Sequence, residues 1–237
     1  MADTDEASIA AAQEAEAATK AVESNAAALA RLLDGASYSS EARILREFGA
    51  RFSEYKELDR RILALAVENT NLKAQALSFG PAAEAANGFR DSLAGLASSL
   101  PVKDRCRAEL LVADAVRVVR EIQVLQAPHI AERDDAAMAR MEKQMADLDA
   151  KARAALTSLK DLSPPSASAG SALDQALAKL DQLKAINGQI VALSRRNTNL
   201  LSLDLSLRKK PPLAAACDER IGVLQDALAK EGPKATR

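Results

Sequence analysis

Asn69-Thr70-Asn71-Leu72 recurs as Asn197-Thr198-Asn199-Leu200, and the second occurrence follows Arg195-Arg196 where the first follows Val67-Glu68. Carboxamides clustered between helices can hold a small polar ligand. They can equally fix the register and partner number of a helical bundle, because a buried amide needs partners. A guanidinium beside such a layer can clamp a carboxylate through two parallel hydrogen bonds, or it can be no more than a solvated helix flank. Arg195 and Asn199 share a helix face at a spacing of four, whereas Arg196 points about 100° away, so Arg195 is the preferred clamp. The candidate ligand-binding residues are therefore Arg195, Arg196, Asn197, Asn199, Asn69 and Asn71, and the chemistry suits a small polar molecule such as an organic acid or amino acid. His129, the single histidine, follows Pro128 and can titrate or meet a ligand, or simply mark a helix boundary.

No pattern for catalysis accompanies them. The chain has no nucleophile elbow, no glycine-rich phosphate loop, no His-Glu metal helix and no second histidine, so neither an enzyme nor a metal or other cofactor is expected. Acidic pairs such as Asp134-Asp135 read as a solvated face. Cys106 and Cys217 form neither a zinc pattern nor a disulfide framework, and Cys217 falls on an apolar line as a small buried residue. With 32 basic and 33 acidic residues the formal charge is −1, which gives no global field for nucleic acid. No apolar run approaches the ~20 residues of a membrane span, and the first thirty residues lack the pattern of a signal peptide.

The elements that would position these residues are long helices. Aromatics make up 3% of the chain and glycines number 9, a composition that suits helices and disfavours sheets. The Asn-Thr-Asn repeat has an offset of 128 (197 − 69), and at that offset Ile62 falls on Ile190, Leu65 on Leu193, Ser78 on Ser206 and Leu96 on Leu224. Both copies carry a heptad-like seam: Leu45, Phe48, Phe52, Tyr55, Leu58, Ile62, Leu65, Asn69, Leu72, Ala76 and Phe79, against Leu173, Ala176, Leu180, Leu183, Ile186, Ile190, Leu193, Asn197, Leu200, Asp204 and Leu207. The expected fold is all-α, an elongated antiparallel helical bundle built from two duplicated helical-hairpin units, residues 1–101 and 102–237. Breaks are expected near 35–40, 80–81, 100–102, 128, 163–168 and 211–212, with continuous helices over about 41–79 and 171–208 and a frayed tail from Glu231. Ser39 or Ser40 is the expected cap of the helix after Gly35.

Gln126 to Met138, then Ile190 to Leu200, Leu205-Ser206-Leu207 and Ala214 to Cys217, resemble the four-helix-bundle ligand-sensor domain of methyl-accepting chemotaxis proteins and sensor kinases. The resemblance covers roughly 107 to 230 and, through the repeat, about 41 to 99. It implies an extracytoplasmic, periplasmic bundle, homodimeric along its helices, that binds a small molecule and passes a helix displacement through the membrane. The chain departs from that family in carrying two copies and no membrane helices, linker module or signalling hairpin. It is expected to be an excised sensor region, tied to the membrane only through flanking segments, and cytoplasmic if complete. The rival reading is a non-enzymatic structural or scaffolding bundle.

Overall fold

The computed structural model describes residues 4–162 and 167–231, and every regular element among them is helical. Residues 163–166 of the expected connection, and the expected frayed tail from 232 onward, lie outside the described residues. Helix α1 spans Asp5–Gly35 and opens on Thr4, whose hydroxyl accepts from the Ala7 N–H at 3.1 Å, with Asp5 and Glu6 facing the positive end of the helix dipole. Ser37 takes the left-handed conformation in the turn that follows, at φ 60°. Helix α2, Ser39–Glu68, starts one residue before the expected serine caps can act, with Tyr38 at its N-cap and no side-chain bond there.

Both long helices stop at the asparagine of the repeat. Asn69 has φ 50° and Asn197 has φ 51°. That left-handed conformation ends α2 at Glu68 and ends α7, Ala167–Arg196, at Arg196. Asparagine is among the few non-glycine residues that adopt it readily, because its short side chain bonds locally. The expectation of helices running unbroken through 69 and 197 is therefore corrected. The seam is corrected with it, since one left-handed residue re-phases the helix that follows: Ala74 and Ser78 are buried in place of Ala76 and Phe79, and Phe79 is 76% exposed.

The helices resume at once, as α3 (Thr70–Leu77) and α8 (Thr198–Asp204). The break expected at 100–102 is present, with Pro101 as N-cap of the helix that follows, but at 80–81 and 211–212 α3 and α8 do not break. Each of these helices widens into a π turn, Ser78–Ala82 and Leu205–Lys209, and continues as α4 (Ala83–Leu93) and α9 (Lys210–Glu231). Pro81 sits inside the first π turn, where the wider i→i+5 pattern accommodates a residue without an N–H. Pro211 and Pro212 directly follow the second π turn, whose wider pattern likewise makes room for residues without an N–H. Helix α5, Val102–Ala131, likewise runs through Pro128 and ends three residues later. Helix α6, Asp135–Leu162, follows. Asp134, expected to be no more than a solvated charge, caps it by accepting from the Ala137 N–H at 2.7 Å.

The chain forms two compact units, residues 70–197 and residues 1–69 with 198–237. They are not the two repeats. Unit 1 joins α1 and α2 of the first copy to α8 and α9 of the second, around Leu33, Leu45, Phe48, Cys217 and Leu224. Unit 2 joins α6 and α7 of the second copy to α3 and α4 of the first and adds α5, around Phe89, Val118, Met145, Leu159, Leu180 and Ile190. At the same 128-residue offset α1 matches α6, α2 matches α7, and α3–α4 matches α8–α9, so each copy changes unit at its left-handed asparagine.

Candidate functional site

The asparagines form one layer in each unit. In unit 2, Asn71 Nδ2 donates to Asn197 Oδ1 at 2.9 Å and to the Ile130 carbonyl at 2.7 Å, while Asn197 Nδ2 donates to the Glu132 carbonyl at 2.9 Å. In unit 1, Asn199 Nδ2 donates to Asn69 Oδ1 at 2.8 Å, and Asn69 Nδ2 reaches Asp5 at 2.9 Å and Ser8 at 2.8 Å. The pairing is the same in both, with the second Asn of one copy on the first Asn of the other. Among the described residues no buried side-chain nitrogen or oxygen lacks a hydrogen-bond partner, so these amides are engaged within the protein.

Arg195 and Arg196 sit at the C-terminal end of α7, where positive charge suits the helix dipole. Arg195 Nε donates to Glu142 at 2.6 Å and Nη1 reaches Asp135 at 3.2 Å. Its hydrogen bond to Glu142 raises its pKa and lowers that of Glu142, which the His129 hydrogen bond lowers further against the opposing effect of burial. Arg196 is exposed. The expected clamp is thus already balanced by two carboxylates of α6.

His129, read from sequence as a boundary residue or a ligand contact, is fully buried. Its Nδ1 lies 2.7 Å from Ser194 Oγ and its Nε2 2.9 Å from Glu142 Oε1. The Glu142 carboxylate can only accept, so Nε2 donates to it, and Ser194 Oγ also lies 2.8 Å from the Ile190 carbonyl. Glu142 therefore ties together three helices: its own, α5 through His129, and α7 through Arg195.

Beside this node α6 and α7 flank an open cleft of about 300 Å³. Ile122 of α5 closes its back, Met145, Leu183 and Val191 make it apolar, and Glu142, Asp149, Lys184 and Asn187 are its polar groups. Asp149 is held by Arg153 at 2.9 Å and lies 3.5 Å from Lys184. Asn187 Oδ1 accepts from the buried Gln126 at 3.1 Å, and Gln126 in turn accepts from Ser78 at 2.7 Å. Gly188 lines the cleft with nothing within 4 Å of where a Cβ would stand.

The structure thus brings Asn71 and Asn197 together in one unit, and Asn69 and Asn199 in the other. Glu142, Asn187, Gln126 and Ser194 escaped the sequence reading. Gln126 and Asn187 carried a usable signal, each being polar and within one helical turn of apolar seam residues. Among the described residues no group of three His, Cys, Asp or Glu side chains is placed to hold a metal ion, and no helix is long and apolar enough to cross a membrane. No protein family, curated protein or solved structure matches this chain.

Proposed function

We propose that the chain is a ligand-sensing helical bundle that takes a small polar molecule in the α6–α7 cleft and signals by displacing those helices. The observation carrying this reading is the cleft itself: a concave, largely apolar space edged by a few directed polar groups, one of which is the Glu142 node joining three helices. An amino acid matches its chemistry. The ammonium pairs with Glu142 or Asp149, the carboxylate meets Lys184 and the Asn187 amide, and an apolar side chain rests on Ile122 and Val191. Binding that draws on Glu142 shifts its hold on α5 and α7, a differential contact of the kind a conformational signal requires. The sequence resemblance adds the setting: an extracytoplasmic, homodimeric domain of a receptor or sensor kinase.

Thermal melting with a panel of amino acids and small organic acids tests this, because a ligand that binds only the folded state raises the melting temperature. At about a hundred times Kd the gain is about 2.7 kcal/mol. The expected result is a shift with at least one amino acid that Asn187→Leu and Lys184→Glu each diminish while the fold is kept. A wild-type melt unmoved by the whole panel rejects the proposal.

A further inference from the structure

Unit 2 contains a helix that unit 1 does not. Helix α5 lies against α6, α7 and α4 and turns Ala108, Ala115, Val118, Val119, Ile122 and Gln126 inward. The repeat counterparts of those three helices are α1, α2 and α9. Between them lies a groove of about 480 Å³ that no helix of the described residues fills. Its floor is Phe48, Phe52 and Tyr55, and its walls include Val22, Ala214 and Ile221. The matching residues of unit 2 for Phe52, Tyr55, Ala214 and Ile221, namely Leu180, Leu183, Ala86 and Leu93, are all buried, whereas those four are only half-buried.

We infer that this groove of unit 1 docks an amphipathic α-helix of a partner protein, seated against α2 and α9 as α5 is seated against α7 and α4 in unit 2. Three features of the groove specify the occupant. Phe48, Phe52 and Tyr55 stack in a row with centroids 5.6 Å and 6.0 Å apart, an aromatic platform that suits small and β-branched side chains at i, i+3, i+4 and i+7. Where Asn187 meets Gln126 of α5, unit 1 offers Asp59, which is buried and paired with Lys210 at 2.5 Å. A docked helix therefore presents a polar side chain at that level, as α5 does. The three residues joining α5 to α6 make α5 antiparallel to α6 and so parallel to α7, and the docked helix accordingly runs parallel to α2.

Free cysteines report on the groove directly, since Cys217 lines it and Cys106 lies exposed in unit 2. The probe is a fluorescein-labelled synthetic peptide of residues 102–131 carrying Cys106→Ala, titrated into the full chain. The expected result is saturable binding in the micromolar range, with maleimide labelling of Cys217 slowed at least fivefold and that of Cys106 unchanged. Ala18→Lys, at an exposed position on the groove wall, should weaken binding at least tenfold without altering the circular dichroism, and Phe52→Asp should do the same. Leu207→Asp, outside the groove and exposed, should leave binding intact. No saturable binding, or binding indifferent to Ala18→Lys, overturns the inference. So does sedimentation showing a wild-type dimer that Ala18→Lys dissolves, because a second copy would then be the occupant.

Discussion

Asn69 and Asn197 mark the seam positions at which leucine would gain burial, and from sequence alone a leucine there should stabilise. The backbone reverses that expectation. At φ 50° a leucine is strained by about 1–2 kcal/mol, and the Asp5, Ser8 and Asn199 side chains would each lose a partner worth about 1 kcal/mol. Asn69→Leu should therefore cost about 4–5 kcal/mol in urea denaturation, while Asn69→Gly, which tolerates the conformation, should cost nearer 3 kcal/mol. Equal losses would show that the amide and not the backbone sets the requirement. Glu142 supports a pH prediction. Chiefly through Arg195, its carboxyl is held below the usual value of 4.5, so the stability it contributes is complete above that value and is lost as pH falls through the depressed one. Melting temperature measured from pH 6 to pH 3 should fall more steeply below about pH 4.5 in the wild type than in Glu142→Gln.

Helices α2 and α7 have the same bounds across the repeat, and the features legible in their sequence were those that act over a few residues: the apolar spacing before each asparagine and the repeat itself. Gly49 shows how local such features can be. It lies inside α2 with nothing within 4 Å of where a Cβ would stand, so Gly49→Ala should raise stability by about 0.5–1 kcal/mol in chemical denaturation, through backbone entropy alone. The proline dipeptides misled for a physical reason. Pro81 and Pro211-Pro212 are helix breakers only if the preceding turn stays α-helical, and the π turns that make room for them leave no composition signal. The candidate site was legible only in part. Arg195 and the asparagines stood out by type, whereas Glu142 gains its role from His129, 13 residues before it, and Arg195, 53 residues after it, a contact that spacing along one helix cannot announce.

A duplicated chain invites the expectation that each copy folds on itself, and the boundary near residue 101 follows from that premise. Here each copy is divided between the units at its left-handed asparagine. Fragment 1–101 would leave α2 without α8 and α9, and α3 and α4 without α7, the neighbours against which their apolar faces are buried. Fragment 70–197 is different: it is contiguous, holds all of α3 to α7, and contains every residue of the larger apolar core, from Ala74 to Ile190. Isolated helices of this length are marginal in water without tertiary burial. Fragment 70–197 should therefore melt as one cooperative helical unit by circular dichroism, while 1–101 should be weakly helical with no sharp transition. The asparagine layer sharpens the contrast, because Asn71 keeps Asn197 and Ile130 inside 70–197, whereas Asn69 in 1–101 loses Asn199. A cooperative melt from 1–101 would mean that the first copy folds on itself when freed of the second, and the division of the copies between units would then be a property of the whole chain alone.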